Sequence, residues 1–274
     1  MTVNRKHSLL GLALALALGA FAGFLPVNAN ADPGFQKWIA GFYATAAKSG
    51  ITQSTYRNAF AGVTDPDPTV LEKAQYQPEF KSQVWDYLDS RVNPYTVDIG
   101  RKMAVKYGST LRTLEQHFGV DRNIMLAIWS MESNYGAVLA KNDRLHYVPR
   151  ALATLAYADP KRANYAKKQL IAALKILQKG DISRKDLNGS WAGAMGHTQF
   201  IPTSYLLYAV DADGSGHADI WNSIPDALAT TANLLAKNGW DTGRTWGYEV
   251  VVPKGGSAQA GKTQAEIEAS GGRA

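Results

Sequence analysis

The sequence predicts a mainly α-helical protein with little β structure. Apolar residues recur at intervals of three and four along most of the chain, which is the period of an amphipathic helix. Asp, Ser and Thr precede several of these segments and Gly follows them, as expected of helix caps. Alternating patterns typical of strands are confined to short runs such as residues 248–252.

The composition is that of a soluble globular protein with one or two domains. The chain has 274 residues, of which 46% are apolar and 19% are charged. It contains no cysteine, which excludes disulfides, thiolate metal sites and a lipidated cysteine.

The N-terminal segment resembles a secretory signal. Arg5 and Lys6 precede an uncharged run over residues 9–25, and small residues at 29–31 are followed by Asp32. This pattern predicts export with cleavage before Asp32, and the alternative is an uncleaved membrane anchor, because the apolar run is slightly long for a signal. Cleavage removes two basic residues and lowers the formal net charge from +6 to +4. A mildly basic exported protein suits a polyanionic wall or membrane surface and argues against nucleic acid as a partner.

Two helices are predicted directly after the signal. The first has apolar residues at helical spacing and is closed by Gly50; these residues are Phe35, Ile39, Phe42 and Ala46. The second begins after Thr52 and ends near Phe60. Residues 62–68 contain three Gly or Pro residues and interrupt any regular element.

The next stretch mixes aromatic and polar groups before a long helix. Residues 75–88, which include Tyr87, are either a loop fixed by core aromatics or a surface for sugar rings. The spacing of apolar residues then predicts one long helix over residues 96–117, although Gly100 and Gly108 weaken it.

The segment from Asp121 to Gly136 predicts a helix that carries one carboxylate, Glu132, on an otherwise apolar stretch. Asp121 offers an N-cap oxygen, and Gly136 can take the left-handed conformation that ends a helix. Met125 and Trp129 widen a predicted buried stripe that consists of Ile124, Ile128, Met131 and Tyr135. Partial desolvation and the negative end of the helix dipole both favour the protonated form of Glu132. Glu132 is therefore a candidate general acid, although most glutamates at such positions are solvated flank residues.

Another long helix is predicted to start with an N-cap and a first-turn proline at residues 159–160 and to end at Gly180. Its first turn carries Lys161, Arg162 and Tyr165. Basic groups are unfavourable at this end of a helix dipole, which indicates that a ligand uses them or that the fold tolerates them.

The last third of the chain combines small residues with a final helix. Residues 189–205 contain closely spaced Gly and Ala around large apolar side chains, among them Met195. Small residues allow a close approach by a ligand or by another helix, so a substrate groove and a packing contact are equally consistent with this segment. Ser223 and Asp226 then form a capping-box pattern before an amphipathic helix that ends at residues 238–239.

Residues 211–222 resemble a calcium-binding EF-hand loop. Oxygen-bearing side chains stand at positions 1, 3, 5 and 9 of a twelve-residue loop, and glycine stands at position 6. The candidate ligands are Asp211, Asp213, Ser215, the backbone carbonyl of His217, Asp219 and Asn222. Asn222 replaces the glutamate usual at position 12, so a structural calcium ion would bind weakly or not at all. The alternative is an Asp/Gly-rich turn held by its own hydrogen bonds.

Taken together, these motifs resemble the lytic murein transglycosylases of the membrane-bound B type. The resemblance covers about residues 35–253. The matching segments, in the order of the family, are 77–80, 85–88, 132–136, 151–155, 189–196, 199–202, 211–222 and 239–240.

The resemblance implies a lysozyme-like α+β fold with a groove for the glycan strands of peptidoglycan and no required cofactor. It also implies cleavage of the β-1,4 bond between N-acetylmuramic acid (MurNAc) and N-acetylglucosamine (GlcNAc) without water, leaving 1,6-anhydro ends. Glu132 would act first as acid and then as base. Ordinary glycosidases use two carboxylates, and the Glu132 motif contains no second acid.

The resemblance also assigns roles to other residues. Ser190 and Gln199 would hydrogen-bond the sugars, Tyr87 would line the groove, and Met195 is a further candidate substrate-binding residue. The residues that would meet peptide or lactyl carboxylates are Lys161, Arg162 and Tyr165. Lys161 stands where the family often has arginine, and Leu234 where it has a groove tyrosine. The family usually continues past residue 274 with a further Asn and Tyr near the site, so we expect a shortened member or an incomplete sequence.

These observations predict a signal peptide at residues 1–31, a catalytic domain at 32–253 and a disordered or truncated tail at 254–274. The expected location is the periplasm. The expected partners are peptidoglycan strands and proteins of cell-wall synthesis or remodelling. Two alternatives to the lyase are a hydrolytic muramidase and a non-catalytic peptidoglycan-binding module.

Overall fold

The computed structural model describes residues 31–75, 84–140 and 144–244, which form eleven helices and two short strands. In chain order the elements are α1 (Pro33–Lys48), α2 (Gln53–Phe60), α3 (Pro68–Gln75), α4 (Val84–Arg91), α5 (Pro94–Lys106), α6 (Gly108–Phe118), α7 (Arg122–Ser133), β1 (His146–Tyr147), α8 (Val148–Ala158), α9 (Ala163–Lys179), β2 (Asn188–Gly189), α10 (Pro202–Tyr208) and α11 (Ile224–Lys237). The predicted mainly helical fold is confirmed. The predictions for residues 1–30, 77–80, 248–252 and 254–274 lie outside the described residues.

The first two helices follow the predicted pattern. The side chain of Asp32 accepts a hydrogen bond from the Phe35 amide at 2.9 Å, and that of Thr52 accepts one from the Thr55 amide at 3.2 Å. These caps satisfy amides that the first turn of a helix leaves unpaired. The predicted face of α1 is buried, and its members are Phe35, Ile39, Phe42 and Ala46.

The core is centred on α8 and α9, which pack against each other with α1, α2, α3 and α10 around them. Every residue of α8 from Val148 to Ala156 except Arg150 is buried. A helix that is apolar on nearly all sides needs such neighbours. A second apolar cluster joins α6, α7 and α11 and is built around Trp129. No helix among the described residues has the length and apolar composition needed to cross a bilayer.

The helix predicted over residues 96–117 is divided into α5 and α6 at Tyr107. Gly108, the first residue of α6, has a low helix propensity. The break also lets the ring of Tyr107 pack edge-on against Trp129, with the two ring centroids 5.6 Å apart. The prediction of one continuous helix was therefore wrong.

The helix predicted from residue 160 begins later, at Ala163. The carboxylate of Asp159 accepts hydrogen bonds from the amides of Lys161 and Arg162, at 3.0 and 3.2 Å, and holds them in a turn before α9. The two basic residues therefore precede the helix and do not occupy its first turn.

A small antiparallel sheet organises the segment beside α7. β1 pairs with β2, with His146 opposite Gly189. Single backbone bridges then join Gly189 to Met195 and Met195 to Phe200. These pairings fold the segment back and forth and leave residues 196–199 as a tight turn.

Candidate active site

α7 carries Glu132 one residue before the helix ends at Ser133. The predicted N-cap is present, since Asp121 accepts a hydrogen bond from the Asn123 amide at 2.6 Å. The helix ends earlier than Gly136 because Asn134 already has a left-handed backbone, with φ of 50°. Glu132 therefore lies in the last turn, beside carbonyl groups that have no partner within the helix.

The buried face of α7 differs from the predicted stripe. The buried residues are Met125, Leu126, Trp129 and Ser133. The predicted residues, which are only half-buried, are Ile124, Ile128, Met131 and Tyr135. The prediction was right for Met125 and Trp129 and wrong for the other four residues, because intervals of three and four fit both faces of this apolar helix. Ile128 faces the groove at Glu132, whereas Met131 and Tyr135 line a crevice toward α5.

Glu132 lies in a groove of about 320 Å³ between α7, α10, α11 and the segment that precedes α10. The lining residues are Ile128, Glu132, Thr198, Gln199, Phe200, Ile201, Ser204, Thr231 and Leu234. Among these described residues, Glu132 has the one ionisable side chain. Hydroxyl and amide groups on apolar walls are the lining expected for a site that orients a neutral polar ligand such as a sugar.

The pKa of Glu132 is raised above its ordinary value because the surrounding protein replaces water at the carboxylate. The positive charge of Arg91, at the end of α4, opposes this shift. The side chain of Glu132 is nevertheless exposed along the open groove, so the protein desolvates it on one side and a ligand can reach it on the other. An accessible carboxyl group that holds its proton more tightly than usual is suited to general acid catalysis.

Gln199 enters the groove from the tight turn at residues 196–199. Its backbone is left-handed, with φ of 51°, and its side-chain amide donates a hydrogen bond to the Gly196 carbonyl at 2.9 Å. A non-glycine residue in this conformation persists only where its surroundings hold it. The structure thus brings Gln199 and Glu132 into one groove, and the contact of Gln199 with a sugar stays a prediction.

Two other predicted substrate-binding residues lie elsewhere. Met195 is fully buried in the main core, so its side chain cannot reach the groove, and the predicted contact is wrong. Its backbone instead pairs with Phe200 and closes the turn. Ser190 is half-buried, its hydroxyl accepts a hydrogen bond from the Ala194 amide at 3.0 Å, and it is not among the described residues that line the groove at Glu132.

The three residues predicted to bind carboxylates lie around the start of α9. Lys161 and Arg162 line a crevice of about 620 Å³ between α3 and the turn before α9. The guanidinium of Arg162 is 2.7 Å from Asp159 and 5.7 Å from the ring centroid of Trp191. Tyr165 is exposed, and its hydroxyl donates to the Ala192 carbonyl at 3.4 Å. This basic surface is a crevice distinct from the groove at Glu132.

Tyr87 lies on α4, where its ring is exposed. The guanidinium of Arg91, one turn further along, lies 5.5 Å from the centroid of this ring. Arg91 also acts on the pKa of Glu132, whereas Tyr87 is not among the described residues that line the groove at Glu132. Arg91 is a site residue that the sequence did not reveal, since its charge acts on Glu132, which lies far from it along the chain.

The loop at residues 211–222 gathers carboxylates in a different way from the predicted one. Side-chain oxygens of Asp211, Asp213 and Asp226 lie within 4.8 Å of one another. Asp226 is fully buried and accepts hydrogen bonds from three amides of the loop, those of Ala212, Asp213 and Asp219. The capping-box pattern concealed this role: Ser223 caps α11, but the Asp226 side chain turns toward the loop.

The remaining predicted ligands pair within the protein. Asn222 donates a side-chain hydrogen bond to Asp219 at 2.9 Å. Ser215 donates to the carbonyl of His217 at 3.0 Å, while the ring of His217 lies 3.7 Å from Asp181. Three clustered carboxylates suit a hard cation such as calcium. Asp226 stands in this cluster, whereas Asn222, the ligand predicted at position 12, does not.

Comparison with known proteins shows the family of the chain. A sequence model of the family described as Transglycosylase SLT domain matches residues 34–273. The chain belongs to this family. The chain is 35% identical, over 157 residues, to membrane-bound lytic murein transglycosylase B of Escherichia coli K12, a match that covers 57% of this chain and 42% of that protein. The resemblance seen in the sequence is confirmed.

Solved structures of transglycosylases have the same fold. Pseudomonas aeruginosa SltB3, in complex with NAG-NAM-pentapeptide or NAG-anhNAM-pentapeptide, has a TM-score of 0.76 and 46% identity, covering 82% of this chain and 58% of that one. Escherichia coli Slt35 in complex with calcium has a TM-score of 0.65 and 29% identity, covering 78% and 65%. The chain spans less than two thirds of the length of these relatives.

Proposed function

We propose that this protein is a peptidoglycan lytic transglycosylase that cleaves the β-1,4 bond between MurNAc and GlcNAc without water. The carrying observation is the groove in which Glu132 is the single ionisable side chain among the described lining residues. Ordinary glycosidases need two carboxylates, one on each side of the bond. A nucleophile within the substrate removes that need. The SltB3 complexes with NAG-NAM and NAG-anhNAM pentapeptides support the same chemistry.

In this proposal Glu132 carries out both proton transfers. It first donates its proton to the glycosidic oxygen, which leaves with GlcNAc as the bond to C1 of MurNAc breaks. The resulting carboxylate then accepts the proton of the MurNAc C6 hydroxyl while the C6 oxygen bonds to C1. Water is not consumed, and Glu132 regains its proton. The raised pKa of Glu132 favours the first step.

Substrate contacts are proposed for residues around the groove and the basic crevice. The amide of Gln199 would bond sugar hydroxyls, and the exposed ring of Tyr87 would pack on a sugar face. Ser190 keeps a hydroxyl proton to donate to a sugar further along the strand. The carboxylates of the lactyl group or stem peptide are assigned to Lys161, Arg162 and Tyr165.

The test is mass spectrometry of the soluble fragments released from purified peptidoglycan. Wild type is expected to release anhydro-muropeptides and Glu132→Gln none. Glu72→Gln makes the same change on the exposed surface of α3 and should match wild type. Hydrated reducing ends would reassign the protein as a hydrolytic muramidase. Wall binding without release by either protein would leave a peptidoglycan-binding module.

A structural calcium ion is proposed at Asp211, Asp213 and Asp226, supported by their clustered oxygens and by the calcium complex of Slt35. These residues would hold the ion and fix the loop against α11. Calcium should raise the unfolding temperature of wild type. It should not raise that of Asp211→Asn, which lacks one charge; equal shifts in the two proteins would refute the site.

Export to the periplasm is proposed from the signal-like residues 1–31, and protein partners in wall synthesis or remodelling stay a prediction. Cleavage before Asp32 would give a mature chain whose mass identifies its first residue. Recovery of the uncleaved chain in the membrane fraction would instead support an N-terminal anchor.

A further inference from the structure

The tight turn that carries Gln199 is joined to the end of α7 by His197. The indole nitrogen of Trp129 donates a hydrogen bond to Nδ1 of His197 at 3.1 Å, and the two rings meet edge to face. The buried Ser133 hydroxyl donates to the His197 carbonyl at 2.6 Å and accepts from the Gly136 amide at 2.9 Å. Both the side chain and the backbone of His197 thus bond to residues on either side of Glu132.

The chemistry of the donor fixes the state of the His197 ring. An indole N–H can only donate, so Nδ1 of His197 must be the acceptor and the proton of the neutral ring lies on Nε2. Burial lowers the pKa of His197, which agrees with a neutral ring, although Asp219 and hydrogen bonding to the Trp221 backbone act in the opposite direction. This tautomer is a specific, measurable consequence of the contact.

Close packing leaves the ring little room to move. A Cβ atom added at Gly136 would lie 2.6 Å from Nδ1 of His197, so the ring rests directly on bare backbone. On the other side, the His197 amide donates to the Ile220 carbonyl at 3.0 Å. His197 is therefore held between the end of α7 and the loop at residues 211–222.

The same turn presents Gln199 to the groove. The Met195–Phe200 bridge closes the turn, and the Gln199 side chain bonds back to Gly196. Because the turn is short and doubly bonded, a shift of His197 moves Gln199 relative to Glu132. A displacement of about 1 Å from productive geometry lowers an enzyme's rate by about 100-fold.

We propose that His197 is a positioning residue that fixes Glu132 and Gln199 relative to each other across the groove. It acts through the Trp129 and Ser133 hydrogen bonds and does not line the groove itself among the described residues. This inference rests on the proposed transglycosylase function.

Kinetics on a soluble peptidoglycan tetrasaccharide test the proposal. His197→Phe keeps an aromatic ring without an acceptor and should lower kcat by about tenfold to 100-fold, with KM changed far less. His197→Asn offers an oxygen near the place of Nδ1 and should recover most of the loss. His117→Phe makes the same change on the exposed surface of α6 and should leave kcat unaltered. The positioning role would be overturned if folded His197→Phe had the kcat of wild type. It would also be overturned if His197→Asn recovered none of the lost kcat.

A double-mutant cycle separates loss of the hydrogen bond between Trp129 and His197 from a general disturbance of the fold. If Trp129→Phe and His197→Phe act through one bond, the double variant should lose little more kcat than the worse single variant. Losses that multiply would overturn the coupling. All variants are compared at a temperature where circular dichroism shows them folded.

Nitrogen NMR of the wild-type ring tests the contact without any variant. The proposal requires an unprotonated Nδ1 and a protonated Nε2 on His197; the opposite tautomer would overturn it whatever the activity. If wild type releases no anhydro product, the proposed function fails, and the tautomer still decides whether His197 joins the turn to α7.

Discussion

Gly136→Ala separates the backbone requirement at the end of α7 from the contact with His197. Gly136 has φ of +87°, and an added Cβ would lie 2.6 Å from Nδ1 of the His197 ring. Gly180, at the end of α9, has φ of +84°, and an added Cβ would meet nothing within 4 Å. Gly180→Ala is therefore a control with the same backbone demand and no collision.

The expected losses of stability combine a backbone cost, which both variants share, and a packing cost, which applies to Gly136→Ala alone. An L-residue in the left-handed region costs about 1 kcal/mol, so Gly180→Ala should lower the free energy of unfolding by about that amount. Overpacking adds about 1–3 kcal/mol, so Gly136→Ala should lose about 2–4 kcal/mol in total. In a domain of this size each kcal/mol lowers the unfolding temperature by about 2–4 °C.

Urea unfolding at one temperature measures both losses. The denaturant slope m should stay unchanged, so that the midpoint reports stability alone. Gly136→Ala should also lower kcat, because its methyl group displaces His197, whereas Gly180→Ala should not. Equal losses of stability in the two variants would refute the packing of His197 on Gly136, and an unaltered kcat in Gly136→Ala would refute its link to the groove.

Three further predictions concern other parts of the fold. Because the pKa of Glu132 is raised in the folded protein, wild type loses stability as pH rises above the ordinary pKa of glutamate. Glu132→Gln has no such charge and should unfold at an equal or higher temperature than wild type at pH 7. Thermal unfolding of both proteins at pH 4 and pH 7 tests the direction of this difference. Asp226→Ala leaves three backbone amides of residues 211–219 without their acceptor and should lower the free energy of unfolding by about 3 kcal/mol or more. Asp226→Asn keeps one side-chain oxygen and should lower it less. Urea unfolding measures both losses. Leu174→Ala should cost about 2–5 kcal/mol because Leu174 is fully buried, whereas Leu207→Ala, on an exposed surface, should stay within about 0.5 kcal/mol in the same assay.

Local sequence signals predicted the helices, whereas contacts between residues far apart in the chain determined where helices break and which faces are buried. The caps at Asp32, Thr52 and Asp121 lie within a few residues of the amides that they bond, so the sequence is sufficient to find them. Gly108 weakens the helix beside Tyr107, but the packing site of the Tyr107 ring on Trp129 lies outside any window of sequence around residue 107. The buried face of α7 was likewise ambiguous until neighbouring helices selected it.

Asp226 shows how a correct local rule can conceal a tertiary role. The spacing from Ser223 fits a capping box, and Ser223 does cap α11. The Asp226 side chain has a stronger alternative, because three amides of a preceding loop converge on it in a buried position. A buried carboxylate that accepts several hydrogen bonds from backbone amides is held more firmly than one that caps an exposed helix end.

The same reasoning explains why positioning residues were harder to find than the acid. Glu132 is the single ionisable side chain among the described residues that line its groove. The other lining residues can therefore contribute only by positioning groups through hydroxyls, amides and backbone turns. Such groups have no distinctive charge pattern in a sequence. Gln199 was recognised through a family motif, whereas His197, two residues earlier, bonds away from the groove to Trp129. A catalytic site built on one carboxylate would place its precision in neutral residues. A sequence motif identified Gln199, whereas the folded contacts were needed to identify His197 as the proposed positioning residue.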